Sequence, residues 1–452
     1  MKVLALDVGT SSTRAIVHDE AGRVVGDASE VAWQPLPSAG GRVEFDLHGV
    51  AAAVDETVRG ALRGHEVDAV AASCFWHSLA LTDARGEVVT PLLTWRDSRA
   101  EAEADELART LDAEAVHRRT GCPLHASFWP AKLLWLRLND PWLARGARAV
   151  SVSDVALGEP TTSVSIASAT GMLNRETLAW DEELLAAVGI DAEQLPRVSD
   201  EPHEREGRTW FPAIGDGAAA NLGSGAVGGD VGGLTIGTSG ALRVVHETGG
   251  APRPGLFQFR LDARRAVDGG SIADGGLLRR WLRRTLDLPK GEADGEILER
   301  APASHGLVFL ALLGGDRAPG WSSHGAGAIT GLTAETTAID IRHAALEGVA
   351  FRFAEILDRL PEVDRLVGSG GTLRKSRALC QILADVLARP LVVPAVAEAS
   401  ARGAAVFALE RLGVAVPDLP LEHVYDPRPD RADALAEARV RDRELYRLLV
   451  PD

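Results

Sequence analysis

The sequence predicts an α/β protein made of two similarly built domains that face each other across a cleft. Strand-like runs and helical spacings alternate through the whole chain. A strand–turn–strand motif near the N-terminus, LALDVGTSSTRAIV (residues 4–17), is echoed in the second half by GGLTIGTSGALR (residues 232–243). Gly9 and Gly237 are separated by 228 positions, close to half of the 452 residues. A repeat this long is not a solenoid unit and indicates two related domains.

Length and composition agree with this organisation. A chain of 452 residues is long enough for two domains with sizeable cores. The composition changes in a stretch rich in Gly and Ala at 213–233, so we place the junction near residue 222, with domains over 1–222 and 223–452. The formal net charge of −16 argues against non-specific binding of nucleic acid or anionic membranes, which both require basic surface.

The three cysteines, Cys74, Cys122 and Cys380, are widely spaced and form no metal-type cluster. The first residues begin a strand rather than a signal segment, and apolar runs such as 307–313 are too short to span a membrane. We therefore expect a reduced, cytoplasmic protein.

Periodicity and turn residues divide the chain further. In the first half we expect three strands over 3–35, a helix over 46–62, a strand over 67–74, a hairpin over 78–89 and helices over 100–119, 132–138 and 182–188. Residues 149–155 fit either a strand or a helix, and 200–209 a polar loop. In the second half we expect strands over 233–246, 257–260 and 265–268, and helices over 273–286, 339–360, 374–388, 399–412 and 430–448.

The first turn has the chemistry of a phosphate site. Gly9, Thr10 and Ser11 supply small side chains and free backbone N–H groups. Asp7, at the mouth of the turn, could face a phosphate-bound Mg²⁺, which prefers carboxylate and water oxygens. An ordinary hairpin turn explains the same residues. The echo at Gly237 and Thr238 favours two turns that grip one polyphosphate from both sides.

Asp216 is the strongest catalytic candidate. It lies between two glycines, in a run of small residues that opens a helix, so a substrate could approach its carboxylate closely. Such a carboxylate could accept the proton of a hydroxyl that attacks a phosphoryl group. A helix N-cap is the alternative role.

Polar residues after two apolar runs are candidates for binding a polyol or sugar. His77 and Ser78 end a buried strand, although a structural histidine is equally consistent with the sequence. Asp97 follows Trp95, and either Asp97 or Ser98 could instead cap the next helix.

Glycines at Gly314, Gly370 and Gly371 allow close approach of a flat or anionic ligand, or simply form tight turns.

Together these segments resemble the FGGY family of carbohydrate kinases, within the actin/hexokinase superfamily. The resemblance covers nearly the whole chain, and its pieces occur in the family's order. Beyond the two hairpins they are WHS (76–78), PLLTWRDSRA (91–100), SIASATGMLNRETLAWDEELL (165–185), GDGAAANLGSG (215–225), GAITGLTAETTAIDIRHAALEGVAFR (327–352), GSGGTLRKSRALCQILADVLARP (368–390) and EASARGAA (398–405).

The resemblance implies two ribonuclease-H-like domains, with ATP and Mg²⁺ in the cleft and the sugar bound mainly by the N-terminal domain. Asp216 would be the catalytic base, and Asp7 would lie near Mg²⁺, with water between them. The nucleotide would contact Thr10, Ser11, Gly237, Thr238, Gly314, Gly370 and Gly371. The sugar would contact His77, Ser78 and Asp97.

Within the family the chain most resembles gluconate kinases, through His77-Ser78, the 165–185 block and Gly215-Asp216-Gly217. Phosphorylation of D-gluconate to 6-phosphogluconate is therefore the expected reaction. Trp76 departs from the family pattern, which leaves a xylulose, ribulose or other polyol kinase as the alternative. A non-sugar ATPase or a sugar sensor of the same superfamily is the alternative from another class.

The expected partners are ATP and a small sugar or sugar acid. Nucleic acid and membrane are not expected. The sequence leaves the oligomeric state open, with a homodimer among the expectations.

Overall fold

Two mixed sheets with the same strand plan organise the chain. The computed structural model describes residues 1–37, 39–288, 293–322 and 325–450. Strands of the first half are β1 Lys2–Val8, β2 Ser12–Asp19, β3 Val24–Ala32, β4 Glu44–Phe45, β5 Ala69–Cys74, β6 Ala80–Thr82, β7 Leu92–Leu93, β8 Arg148–Val150, β9 His203–Arg205, β10 Arg208–Trp210 and β11 Ile214–Gly215. Its helices are α1 Leu47–Ala61, α2 Glu101–Thr110, α3 Ala113–Thr120, α4 Trp129–Asn139, α5 Val152–Ala156, α6 Val164–Ser168, α7 Glu182–Val188 and α8 Asp216–Ser224.

The second half continues with its own strands and helices. The strands are β12 Val231–Ile236, β13 Gly240–Glu247, β14 Phe257–Arg260, β15 Arg265–Ile272, β16 Val308–Leu310, β17 Ala328–Thr330, β18 Arg365–Ser369, β19 Leu391–Pro394 and β20 Leu421–Tyr425. The helices are α9 Gly276–Thr285, α10 Ala293–Glu299, α11 Ala338–Leu357, α12 Arg377–Leu387, α13 Ala399–Arg411 and α14 Ala432–Leu449. Among the helices that the structure describes, none is long and apolar enough to cross a membrane.

The sheet topology confirms the repeat. The first sheet has the order β3-β2-β1-β5-β10-β9, and the second has the order β14-β15-β13-β12-β18-β19-β20. In each sheet an antiparallel hairpin, β1–β2 or β12–β13, lies beside a parallel strand, β5 or β18. The two glycine–hydroxyl turns therefore occupy equivalent positions, and the predicted two-domain α/β fold is confirmed.

Helix α13 belongs to one half of the chain in sequence but packs on the sheet of the other half. It belongs to the second half in sequence, yet its residues Ala401, Ala404 and Ala408 pack on Val3 and Ala71 of the first sheet. It also lies against α8, the helix that connects β11 of the first sheet to β12 of the second. The junction predicted at residue 222 falls within α8, so we keep that division as a proposal and note that α13 crosses it.

Two of the expected elements are wrong. The helix expected over 100–119 is broken into α2 and α3, because the Asp112 carboxylate accepts the Ala115 N–H (2.9 Å) and starts a new helix. The loop expected over 200–209 contains the hairpin β9–β10, which extends the edge of the first sheet. The ambiguous segment 149–155 holds the end of β8 and most of α5.

Candidate active site between the two sheets

The two hairpin turns meet at one cavity. In each turn the glycine N–H donates to a serine carbonyl, from Gly9 to Ser12 (3.0 Å) and from Gly237 to Ser239 (2.9 Å). A cavity of about 280 Å³ is lined by Thr10 of the first turn, Gly237 and Thr238 of the second, and Asp216. Ser11 is exposed at the first turn, outside this lining.

Asp216 begins α8 and reaches into the cavity. Gly215 holds the N-cap position, so the alternative role of Asp216 as N-cap does not apply. Its carboxylate accepts the Gly217 N–H at 2.7 Å. Burial raises the pKa of Asp216, although Arg243 and that N–H oppose the rise. A half-buried carboxylate with a raised pKa is a better proton acceptor than an exposed one.

The Trp76 indole leaves no room for a side chain at either of the glycines that flank Asp216. A Cβ on Gly215 would lie 1.8 Å from the Trp76 indole, and one on Gly217 would lie 2.6 Å from it. A second obstacle at Gly217 is the guanidinium of Arg243, also at 2.6 Å. Gly215 and Gly217 therefore allow Trp76 and Arg243 to pack close to Asp216, in addition to leaving space for a ligand.

Asp7 lies at the end of β1, next to the first turn. Its Oδ1 accepts the Ser73 hydroxyl at 2.6 Å. Burial raises the pKa of Asp7 to about 6, and the Asp216 carboxylate adds to this effect against the Ser73 hydrogen bond. No hydrogen bond to Oδ2 is found within the described ranges, so this oxygen has no protein partner there. Its contact with a hydrated Mg²⁺ stays a prediction.

His77 lines the same cavity with a defined tautomer. Its Nδ1 donates to the Ala169 carbonyl at 2.5 Å, which leaves Nε2 as an acceptor. Burial, with the charges of Arg317 and Lys132, holds the pKa of His77 well below its usual range. The backbone has φ = 64°, a left-handed conformation that is costly for a residue other than glycine and is concentrated at functional sites.

Ser78 and Asp97 lie outside the cavity lining. The Ser78 hydroxyl accepts the Val152 N–H at 3.0 Å. The Asp97 carboxylate accepts from Arg99 (2.9 Å) and from the Val43 N–H (3.0 Å). Both side chains are thus used within the protein, and their sugar contacts stay a prediction. Neither Asp97 nor Ser98 caps α2, whose N-cap is Ala100.

Two half-buried arginines are the site residues that sequence reasoning missed. Arg243 and Arg317 both line the cavity. Nε and Nη1 of Arg243 and Nε of Arg317 are buried without a hydrogen-bond partner in the described part of the chain. Burial lowers the pKa of each to about 10, so both stay charged at neutral pH. Their positions directly after the second hairpin turn and after Gly314-Gly315 were the only sequence signals.

A larger cavity of about 790 Å³ adjoins the second turn. It is lined by Gly275 and Thr372. The Thr372 hydroxyl donates to the Gly237 carbonyl at 3.0 Å, which ties the cavity to the turn. Its basic lining residues are Arg279, Arg283, Arg342, Arg374, Lys375 and Arg377.

The other three glycines predicted to contact the nucleotide, Gly314, Gly370 and Gly371, lie near this cavity without lining it. Gly370 and Gly371 immediately precede Thr372, and a Cβ on Gly370 would lie 2.6 Å from the Ile236 carbonyl oxygen. The Gly314 N–H donates to Asp274 at 3.1 Å. Their contact with a nucleotide stays a prediction.

A separate titratable cluster, His305, His343 and Glu347, lies in the core of the second half. The Leu307 N–H donates to His305 Nδ1 (3.0 Å), so the proton of the neutral ring is on Nε2, which donates to Glu347 Oε2 (3.1 Å). His343 Nε2 lies 3.1 Å from Oε1 of the same carboxylate. Since a metal needs the Nε2 lone pair, this cluster is a hydrogen-bond network rather than a metal centre.

Comparison with known proteins agrees with this architecture. Models of the N-terminal and C-terminal domains of the FGGY family of carbohydrate kinases match residues 2–207 and 234–410. The gluconokinase of Bacillus subtilis (strain 168) is 28% identical, over 91% of this chain and 88% of that protein. The glycerol kinase of Aromatoleum aromaticum is 31% identical, over 90% of this chain and 89% of that protein.

Solved structures share the whole fold. The gluconate kinase from Lactobacillus acidophilus superposes with a TM-score of 0.91 at 24% identity, covering 100% of this chain and 98% of that chain. A ligand-bound xylulose kinase from the same organism gives 0.92 at 24% identity, covering 99% and 98%. At this identity the likeness describes the fold, and the acceptor has to be argued from the cavity.

Proposed function

The chain belongs to the FGGY family of carbohydrate kinases, and from that premise we propose that it transfers the γ-phosphoryl group of ATP to a sugar acid, converting D-gluconate to 6-phosphogluconate. The observation that carries the proposal is the position of Asp216. Its carboxylate lies in a cavity shared by both glycine–hydroxyl turns, so an acceptor hydroxyl and a terminal phosphate can meet beside one base.

The nucleotide site is proposed to run from the turns into the larger cavity. Backbone N–H groups and hydroxyls of Thr10 and Thr238 would hold the terminal phosphates. The 790 Å³ cavity is lined by six basic residues and two carboxylates, Asp287 and Asp294, and this excess of positive charge favours an anionic ligand in a chain whose net charge is negative. Asp7 would hold a hydrated Mg²⁺, which supplies charge neutralisation for the phosphates when it is bound.

The proposed step needs little covalent chemistry from the protein. The acceptor oxygen attacks the γ-phosphorus, the bond from that phosphorus to the β,γ-bridging oxygen breaks, and ADP leaves with that electron pair. Asp216 accepts the hydroxyl proton as the new bond forms. His77 Nε2 and the aromatic wall of Trp76 and Phe259 would orient the acceptor, and positioning of this kind supplies much of the rate.

Gluconate is favoured among acceptors by two gluconokinases at 28% and 29% identity and by the two arginines in the cavity that have buried N–H groups without a partner in the described residues. The second candidate is a polyol or pentulose kinase, which the glycerol kinase relatives at 30–31% identity and the xylulose kinase fold support.

The test is an acceptor panel in a coupled assay for ADP, with D-gluconate, D-xylulose, D-ribulose and glycerol. We expect ADP release that depends on the acceptor and has the highest kcat/KM for D-gluconate, with the phosphate on the terminal hydroxyl by ³¹P and ¹³C NMR. Hydrolysis of ATP at the same rate without any acceptor would refute the kinase proposal. A preference for a neutral acceptor would replace gluconate by the second candidate.

A further inference from the structure

The charge inside the acceptor cavity opposes the charge of the chain. Three arginines, Arg96, Arg243 and Arg317, line the cavity against one carboxylate, Asp216. The whole chain carries a formal net charge of −16. A neutral sugar needs hydrogen-bonding groups of either kind but no such excess of cations.

Arg243 and Arg317 also lack a direct hydrogen-bonding partner among the described residues, although the Asp216 carboxylate acts on Arg243 from a distance. Neither guanidinium forms an ion pair or a side-chain hydrogen bond within the part of the chain that the structure describes. Both arginines are half-buried, and removing the N–H groups of a cation from water without giving them a partner is unfavourable. Buried polar groups are normally satisfied, so unsatisfied ones in a cavity indicate a missing ligand of complementary charge.

The two arginines come from different parts of the chain, and the charge of Arg243 contributes to the lowered pKa of Arg317. Arg243 belongs to β13 and follows the second turn, and its guanidinium lies beside Gly217 and interacts with Asp216. Arg317 lies 4.8 Å from the ring centroid of Trp95 and 5.5 Å from that of Trp321. Its charge acts on His77 and His125, which places it on the side of the predicted acceptor residues.

The loop that carries Arg317 is held in place. The Asp316 carboxylate accepts the Tyr446 hydroxyl at 2.7 Å, which fixes the loop to α14. The Trp321 indole N–H donates to the Gly255 carbonyl at 2.8 Å. A guanidinium held in this way between two aromatic rings is pre-organised for a planar anion, which it can bind with two parallel hydrogen bonds.

We propose that Arg317, with Arg243 beside it, binds the carboxylate of the acceptor and thereby selects sugar acids over neutral sugars and polyols. This inference rests on the proposed kinase function and identifies the residue that recognises the carboxylate of the acceptor. The alternative ligand of Arg317 is the γ-phosphate of ATP. If Arg317 bound that phosphate, its loss would reduce turnover of every acceptor to the same extent.

The test compares two acceptors that differ only at C1. D-Gluconate carries a carboxylate there, and D-glucitol carries a CH₂OH group. We expect the wild-type kcat/KM ratio of gluconate to glucitol to fall by about 10²-fold or more in Arg317→Gln, with most of the loss in KM for gluconate. Arg317→Lys restores part of the ratio, because an ammonium keeps the charge without the planar fork.

The control is Arg85→Gln, which removes one positive charge from an exposed turn outside the cavity. It should leave both acceptors unchanged, and thermal unfolding should show that every variant is folded. An equal loss for gluconate and glucitol in Arg317→Gln would overturn the inference and assign Arg317 to the phosphate. Wild-type preference for glucitol would also overturn it, whereas absence of any acceptor-dependent turnover would refute the kinase proposal itself.

Discussion

Gly223 of α8 and Gly403 of α13 each lie against the backbone of the other helix where the two helices cross. A Cβ on Gly223 would lie 1.7 Å from the Ala399 carbonyl oxygen, and a Cβ on Gly403 would lie 1.8 Å from the Ala219 carbonyl oxygen. Both obstacles are backbone atoms, so the helices themselves would have to separate. The crossing sets the distance between the sheets and therefore the width of the cavity at Asp216.

Alanine at either crossing position should be strongly destabilising. We expect Gly223→Ala and Gly403→Ala each to lower the free energy of unfolding by about 3 kcal/mol, as overpacking against rigid backbone does. Denaturant unfolding measures the change. Gly295→Ala is the matched control, because no atom of the described residues lies within 4 Å of the Cβ position of that helical glycine, and alanine there should stabilise by about 0.5–1 kcal/mol. Equal effects at all three glycines would contradict the packing argument.

Replacing the proposed base should separate catalysis from binding. We expect Asp216→Asn to lower kcat by about 10²-fold or more, because an amide cannot accept the hydroxyl proton. Nucleotide affinity, measured by calorimetry, should stay within a few-fold of wild type. Turnover near the wild-type rate would show that another group accepts the proton.

Asp7 should be a functional residue that costs stability. Its pKa is about 6 in the folded protein against 3.8 in the unfolded chain, so the ionised carboxylate is disfavoured by folding above pH 6, and this cost vanishes as the pH falls below about 4. We expect Asp7→Asn to raise the free energy of unfolding at pH 7 by about 1–3 kcal/mol, since one pKa unit corresponds to about 1.4 kcal/mol.

The same Asp7 variant should lose its response to Mg²⁺ and most of its kinase activity. Unfolding curves at pH 4 and pH 7, with Mg²⁺ titrations of activity, check both parts. A variant that is destabilised at pH 7, or that keeps the wild-type dependence on Mg²⁺, would contradict the role given to Asp7.

Glu347 should stabilise the fold with the opposite dependence on pH. Burial raises its pKa, but hydrogen bonds from His305 and His343 outweigh burial and bring the pKa to about 2, below the 4.5 of the unfolded chain. Its contribution is therefore complete above pH 4.5 and is lost as the pH falls towards 2. Glu347→Gln should cost about 3 kcal/mol at neutral pH. Chelators should leave the stability of the wild type unchanged, and a loss on chelation would identify a metal instead.

Much of the fold could be predicted because its signals are local. Turn residues and alternating apolar runs mark both hairpins, and the repeat of Gly9-Thr10-Ser11 at Gly237 predicts equivalent sheets. The break at Asp112 was missed because apolar periodicity continues across it, while a single cap decides where α3 begins. The hairpin β9–β10 was missed because its polar strands form an edge that needs β5 as a template.

Some residues of the site could likewise be predicted from sequence, and others could not. Asp216 and the turns could be found because glycines and hydroxyls surround them in sequence. Arg243 and Arg317 could not, because an arginine becomes unusual only when three-dimensional packing leaves its N–H groups without partners. For Ser78 and Asp97 the sequence indicated free polar groups, but in the fold these groups bond to other residues. Ser78 accepts from Val152, and Asp97 accepts from Val43 and Arg99.

The position of α13 has a consequence for biosynthesis. The face of the first sheet that carries Val3 and Ala71 is covered by alanines of a helix that is not translated until residues 399–411. A ribosome that has completed the first sheet has therefore produced a surface that must wait for almost half of the chain before it is covered. We expect truncation before α13 to leave the first half prone to aggregation, and addition of the missing half in trans to rescue it.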